Sequence, residues 1–243
     1  MYLSQCRLLM VVTAATLLCA REARPAAILY YTGDSNGQAA YGNYQDLSGK
    51  VNIPESQVFE NFIVAPGAPW NVTSLFVNET DLGPSNVTEA TWSIRTGMGP
   101  GNPGTVLYSG TSAATEGAGA ISQITVAGLN IDLPPGEYWM NITPQTNGTK
   151  LLANTTSGAN EINATLTQSG LWYEPQAENY TPVDADFSIG IDGVLIATPE
   201  PASWVLTATL FAGLAIFSKM RAAALKPCAI AARAARSNRG LQK

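Results

Sequence analysis

The sequence predicts an all-β protein: an antiparallel β-sandwich of jelly-roll type over residues 27–198, placed between an apolar leader and a single C-terminal transmembrane helix. Three observations lead there. Short apolar stretches alternate with Gly, Pro and Asn turns through the body, no stretch sustains helical spacing, and one longer apolar run stands near each end of the chain.

The leader comes first. Arg7 precedes the run LLMVVTAATLLCA (8–20), which has the length of a signal-peptide core and is short for a membrane span. Residues 1–26 therefore read as a secretory signal peptide, with Leu18-Cys19-Ala20 as a cleavage site and Ala23 or Ala26 as alternatives.

Strands follow at 27–31, 57–64, 71–77, 90–96, 105–109, 121–126, 129–133, 137–142, 149–153, 164–167 and 186–191, with a continuation at 194–196. Alternation along them directs Trp92 with Ile94, Leu129 with Ile131 and Leu133, Tyr138 with Met140 and Ile142, and Phe187 with Ile189 and Ile191 to one face. Trp70 and Trp92 read as core. Loops such as TGMGPGNPG between strands at this spacing call for a two-layer antiparallel fold.

The last element begins at Pro199-Glu200-Pro201. It continues through ASWVLTATLFAGLAIFS (202–218), uncharged throughout, into Lys219, Arg221, Lys226, Arg233, Arg236, Arg239 and Lys243 with no acid among them. A helix over 202–218 reaches about 25 Å, near the thickness of a hydrocarbon core. Trailing positive charge holds that end in the cytoplasm and leaves the body outside. The two prolines fix φ and remove backbone donors, so the approach to the membrane is extended and open to a processing enzyme.

Composition narrows the chemistry. The chain has 243 residues and no His, which removes Ser-His-Asp and Cys-His nucleophile pairs and imidazole-ligated metals. Cys6, Cys19 and Cys228 all lie outside the body, which must fold without disulfides. The net charge of −5 hides three segments. The leader carries Arg7, Arg21 and Arg24 against Glu22. The body sets Lys50, Arg95 and Lys150 against 16 acids, for −13, and all seven remaining basic residues follow Pro201. So acidic a body repels phosphate backbones, which argues against a nucleic-acid partner.

Pro-Glu-Pro, an apolar helix and a basic trailer together resemble the PEP-CTERM sorting signal of exported bacterial proteins. The resemblance implies that Pro199, Glu200 and Pro201 are the recognition tripeptide of an exosortase-type processing enzyme, 202–218 the membrane span, and Lys219 and Arg221 the retention charges. The chain runs on beyond the basic cluster as an Ala/Arg-rich tail, 222–243, which departs from the family's usual early stop. The stretches PGAPWNVTSLFVN, ATWSIRTGMGPGNPGTVLYSG and LNIDLPPGEYWMNI are similar to the β-sandwich cargo domains called choice-of-anchor domains, a resemblance that implies no activity. The domain plan is then 1–26 signal peptide, 27–198 sandwich, 199–221 sorting signal and 222–243 cytoplasmic tail.

Within the body, Asn71, Asn78, Asn86, Asn141, Asn147, Asn154, Asn163 and Asn179 each begin an Asn-X-Thr sequon and are glycosylation candidates in an exported protein. Trp139, between Glu137 and Asn141 on the face opposite Tyr138 and Met140, is a candidate platform for stacking on a sugar, and Trp172 with Tyr173 is a second. In a two-sheet fold the competing role for such rings is core. Glu174 with Glu178, and Asp184 with Asp186, are the acid pairs a glycosidase would need. Asp34, Asn36 and Gly37 in GDSNGQ supply loop oxygens for calcium but lack the distant Glu of an EF-hand loop, and a polar turn explains them as well. No P-loop, GxGxxG or CxxC is present, and no cofactor or metal site is expected.

The leading expectation is a non-enzymatic, exported cell-surface or extracellular-matrix protein. Its partners are the cytoplasmic membrane, signal peptidase and an exosortase-type enzyme. The alternative is a carbohydrate-binding module that meets extracellular polysaccharide, and behind it a glycoside hydrolase.

Overall fold

A computed structural model of the chain describes residues 26–53, 55–83, 86–164, 170–175 and 178–196, together with Phe211. The chain divides into two units, Met1–Ile196 and Ala197–Lys243. The first is built from thirteen strands: β1 (Ala27–Tyr31), β2 (Ser35–Gly42), β3 (Tyr44–Asp46), β4 (Glu55–Val64), β5 (Trp70–Asp81), β6 (Glu89–Thr96), β7 (Thr105–Glu116), β8 (Ile121–Leu133), β9 (Gly136–Thr146), β10 (Leu151–Thr156), β11 (Leu171–Glu174), β12 (Asn179–Pro182) and β13 (Ile189–Leu195).

All thirteen belong to one curled sheet with neighbour order β1-β13-β5-β8-β7-β6-β9-β3-β4-β11-β12. Strand β4 also pairs with β9, and β10 with both β5 and β2. Every pairing is antiparallel except that of β3 with β9. The curl folds the sheet into two layers, and β7 carries the chain of pairings between them. Its residues 105–113 pair with β6, and Ala114, Thr115 and Glu116 pair with β8.

One core fills the space between the layers. Val72, Leu75, Val77, Ile124, Val126, Ile189 and Ile191 from the first layer meet Phe62, Val64, Ile94, Met140 and Ile142 from the second. Phe62 lies between two rings, 5.9 Å from Trp70 and 5.5 Å from Tyr138, both stacked. Such ring pairs add roughly 0.5–1.5 kcal/mol each beyond the area they bury. Of the inward sets expected from alternation, Ile94, Ile131, Leu133, Tyr138, Met140, Ile142, Phe187, Ile189 and Ile191 are buried, while Trp92 and Leu129 are partly buried at the margin.

Several elements differ from expectation for identifiable reasons. The two strands expected at 121–126 and 129–133 are one strand, β8. Gly128 takes a left-handed φ of 77° between them, and the pairing with β5 skips a residue between Val72 and Ser74. That is a bulge, which bends a strand without ending it. Strands β2, β3, β11 and β12 were not expected. The first is polar and glycine-bearing, and the other three have four residues or fewer, too short for a period to show. The strand expected at 164–167 lies outside the described residues beyond Ala164, which is in no strand.

The sorting tripeptide at 199–201, the charges Lys219 and Arg221, and the helix expected at 202–218 apart from Phe211 lie outside the described residues, as does the leader before Ala26. Among the described residues no helix is long and apolar enough to cross a membrane.

Candidate functional site

The outer face of the second layer concentrates side chains able to meet a ligand. Thr91, Ser93 and Arg95 of β6, Ser109 and Thr111 of β7, Asn141 of β9 and Gln57 of β4 line an open polar groove of about 340 Å³. Period-two alternation puts them there, because their neighbours Ala90, Ile94, Met140 and Ile142 are spent on the core. Arg95 is held from several sides. Its Nε donates to Ser93 Oγ at 3.1 Å, and its Nη1 donates to Pro103 O at 3.2 Å and Tyr180 Oη at 3.3 Å. The guanidinium also sits 5.0 Å above the Phe59 ring. Its hydrogen-bond partners among the described residues are all neutral. A fixed cation beside hydroxyls and amides suits a polyhydroxylated or anionic ligand.

Beside the groove, Phe59, Met98, Trp139 and Leu171 form a small apolar cluster, with Tyr173 and Tyr180 packed on it. The two tyrosine rings stack at 4.6 Å. This cluster corrects the expectation for Trp139. The β11–β12 hairpin extends the layer from β4 and covers that face of β9, so Trp139 is only 7% exposed and cannot present its ring to a sugar. Tyr173 is half-buried on the same face. Trp172 points to the opposite face, where it packs with Val58, Val183 and Phe187 and lies 5.6 Å from Tyr41. Its Nε1 donates to Ser56 Oγ at 2.7 Å, so both its ring and its donor are engaged.

The eight sequons divide by burial. Asn86, Asn147, Asn163 and Asn179 are exposed and Asn71 is half-buried. Asn78, Asn141 and Asn154 are buried, which closes them to a transferase in the folded chain. Asn78 Nδ2 donates to Ser188 Oγ at 2.7 Å, and Asn141 accepts from Ser93 Oγ while donating to Thr143 Oγ1 at 3.0 Å. Asn154 accepts from Thr80 Oγ1 at 2.9 Å. Sequence spacing carries no information about which face a sequon occupies once both faces of a strand are covered.

Two carboxyls that the sequence does not mark are strongly perturbed. Glu60 of β4 and Glu79 of β5 point between the layers and are fully buried. Burial raises Glu60 well above the ordinary carboxyl range, and the nearby Asp186 raises it further. The backbone N–H groups of Phe187 and Asn61 oppose this. Glu79 is likewise raised by burial first; Asn43 lowers it and Asp81 raises it. Asn43 Nδ2 donates to Glu79 Oε1 at 2.5 Å, while Glu79 Oε2 and Asn154 Nδ2 have no partner among the described residues. The missed signal for Glu60 was a lone acid among apolar strand residues, as in SQVFENFIV, whereas Glu79 stands among Asn78, Thr80 and Asp81 and carries no such mark.

Asp46 behaves in the opposite sense. Burial alone would raise it, yet Ser48 Oγ and the N–H groups of Val51, Ser48 and Gly148 hold it well below the usual range. With Lys50 N–H at 2.8 Å it accepts five hydrogen bonds, which shape the loop after β3. That is a structural task.

Of the acid pairs offered by sequence, Glu174 is half-buried and Glu178 exposed, and the second pair is split by burial. Asp184 is exposed and Asp186 buried, and the carboxyl coupled to Asp186 is Glu60 of another strand. Neither Glu60 nor Asp186 reaches solvent enough to meet a substrate. In the GDSNGQ tract, Asp34 accepts from Tyr31 Oη at 3.0 Å and Asn160 Nδ2 at 2.7 Å, and Asn36 Oδ1 accepts from Gln38 N–H at 2.8 Å. Those oxygens are occupied in closing a turn. Among the described residues no group of three or more Asp, Glu, His or Cys side chains is placed to hold a metal ion. No protein-family model matches this chain, and no curated protein is detectably similar to it.

Proposed function

We propose that this chain is an exported bacterial cell-surface or matrix protein without enzymatic activity. In this reading a jelly-roll sandwich is held outside the cytoplasmic membrane by a PEP-CTERM-like C-terminal signal and is then released or transferred by an exosortase-type enzyme. The observation that carries the reading is the order of features after the body: Pro199-Glu200-Pro201, an uncharged apolar run over 202–218, then Lys219 and Arg221. The all-β body is compatible with it, since Met1–Ile196 contains every described strand and 27–196 contains no cysteine to depend on the redox state of the compartment. Replacing Pro199, Glu200 and Pro201 together by Ala should leave the full-length form accumulating in membranes. Intact-mass analysis of membrane and medium fractions reads the result, and unchanged processing defeats the sorting reading.

The outer-face groove supports a second reading, a carbohydrate-binding module of the cell surface. Its recognition residues would be Arg95, Ser93 and the exposed edges of Tyr173 and Tyr180 in place of Trp139 and Trp172.

A further inference from the structure

The outer-face groove holds a cation without a counter-ion in a body rich in acids. Residues 27–198 set 16 acids against Lys50, Arg95 and Lys150. Yet Arg95 bonds only to neutral groups among the described residues, and it is the one charged residue lining the groove. The β7 wall is uncharged, since no charged residue occurs between Arg95 and Glu116. Glu55, two residues from the groove's Gln57, is engaged by that side chain, whose Nε2 donates to Glu55 Oε1 at 2.5 Å.

A one-way chain of donors fixes the guanidinium from inside the wall. Arg95 Nε donates to Ser93 Oγ at 3.1 Å, and Ser93 Oγ donates to Asn141 Oδ1. Asn141 Nδ2 donates to Thr143 Oγ1 at 3.0 Å, and Thr143 Oγ1 donates to Asn43 Oδ1 at 3.4 Å. Ser93, Asn141, Thr143 and Asn43 are buried, so little water competes for these bonds. The Phe59 ring, 5.0 Å away, supports the guanidinium from another side.

These bonds leave a defined set of donors for a ligand. Nη1 is engaged by Pro103 O and Tyr180 Oη, while Nη2 has no partner among the described residues. Tyr180 Oη accepts from Arg95 and keeps its own proton to donate. Across the β6–β7 ladder, Ser109 lies opposite Ser93 and Thr111 opposite Thr91. Both are exposed, and neither hydroxyl has a partner among the described residues. A neutral sugar would meet these hydroxyls but leave the charge uncompensated. An anionic sugar matches both, and the guanidinium is already ordered to receive it.

We propose that this groove is a subsite for an acidic sugar of a polysaccharide, whose carboxylate or sulfate ester meets Arg95 Nη2 and Tyr180 Oη while its hydroxyls meet Ser109 and Thr111. The assignment rests on the carbohydrate-binding reading and narrows it to anionic glycans. Ser93 and Asn141 are positioning residues that aim Arg95. The acidity of the body restricts the ligand further. Its long-range repulsion, screened beyond about 8 Å at 0.15 M salt, opposes a dense polyanion more than a glycan with separated charges.

Biolayer interferometry tests this with the full chain in neutral detergent at about 0.15 M salt, over immobilised polymers in two matched pairs. One pair is gellan, which carries uronate carboxylates, and carboxyl-reduced gellan. The other is κ-carrageenan, which carries sulfate esters, and its desulfated form. Wild type should bind the charged member of at least one pair about tenfold or more tightly than its neutral counterpart, and the responding pair tells carboxylate from sulfate ester. Arg95→Gln should abolish that preference. Lys50→Gln, which removes a cation that does not line the groove, should keep it. The comparison within each pair uses wild type alone, so it stands even if Arg95→Gln lowers the thermal midpoint. Equal binding to both members of both pairs overturns the acidic-sugar assignment and leaves the carbohydrate-binding reading in place. Binding to none of the four polymers overturns both. A preference that survives Arg95→Gln in a folded chain, or that Lys50→Gln removes, overturns the placement at Arg95.

Discussion

Replacing Glu79 by Gln should flatten the pH dependence of stability by an amount the structure sets. Glu79 is fully buried in β5, with Asn43 Nδ2 on one oxygen and no partner on the other, and Asp81 adds a like charge nearby. All but the Asn43 bond favour the protonated form, so the folded chain keeps a proton that the unfolded chain releases near the usual value of 4.5. In the window between those two pKa values the folded state binds one more proton than the unfolded state. Stability is therefore complete below pH 4.5 and falls by about 1.4 kcal/mol per pH unit above it, levelling off past the folded pKa. Glu60, raised by burial and by Asp186, adds a second proton of the same sign. Both groups act in the same direction, so the folded chain loses stability as pH rises above 4.5.

Gln keeps the shape, still accepts from Asn43 and does not titrate. Urea unfolding followed by tryptophan fluorescence at half-unit steps from pH 5 to pH 8 should give a slope for Glu79→Gln that is shallower than wild type, by at most about 1.4 kcal/mol per pH unit for the one proton. Over this window Asp46 contributes a constant, because its lowered pKa confines its loss of stability to pH values falling below about 4. Parallel wild-type and Glu79→Gln lines would show that the carboxyl is already ionised in the folded chain and would refute the reasoning.

Two other substitutions separate structural from functional residues. Asp46→Asn turns one acceptor toward the N–H groups of Lys50 and Val51 into a donor, and should cost about 1–3 kcal/mol in thermal unfolding at pH 7 and remove the acid-side loss below pH 4. Trp139→Ala empties the centre of the cluster formed with Phe59, Met98 and Leu171. It should cost about 3–5 kcal/mol, whereas a Trp139 engaged only with an external sugar would leave the unfolding midpoint unmoved.

The regular parts of the fold were legible because period-two alternation is a local property. Strands such as 27–31 and 90–96, and the inward sets on β9 and β13, follow from side-chain direction alone. What escaped were features fixed by partners distant in sequence. The β11–β12 hairpin covers Trp139 because β11 pairs with β4, more than a hundred residues upstream, and a covered outer face makes alternation fall silent along β9. The same cause buries Asn78, Asn141 and Asn154 and leaves Asn86, Asn147, Asn163 and Asn179 outside.

From residue order alone come the strand-rich class of the body, its lack of thiols and histidines, its acidity, and the apolar and basic segments that suggest export. These depend on composition and short-range period, which a linear chain already contains. Tertiary structure decided which carboxyls lose their water and which indoles are covered. Desolvation and strand pairing depend on what the rest of the chain places alongside a residue, and that is determined only when the sheet closes on itself.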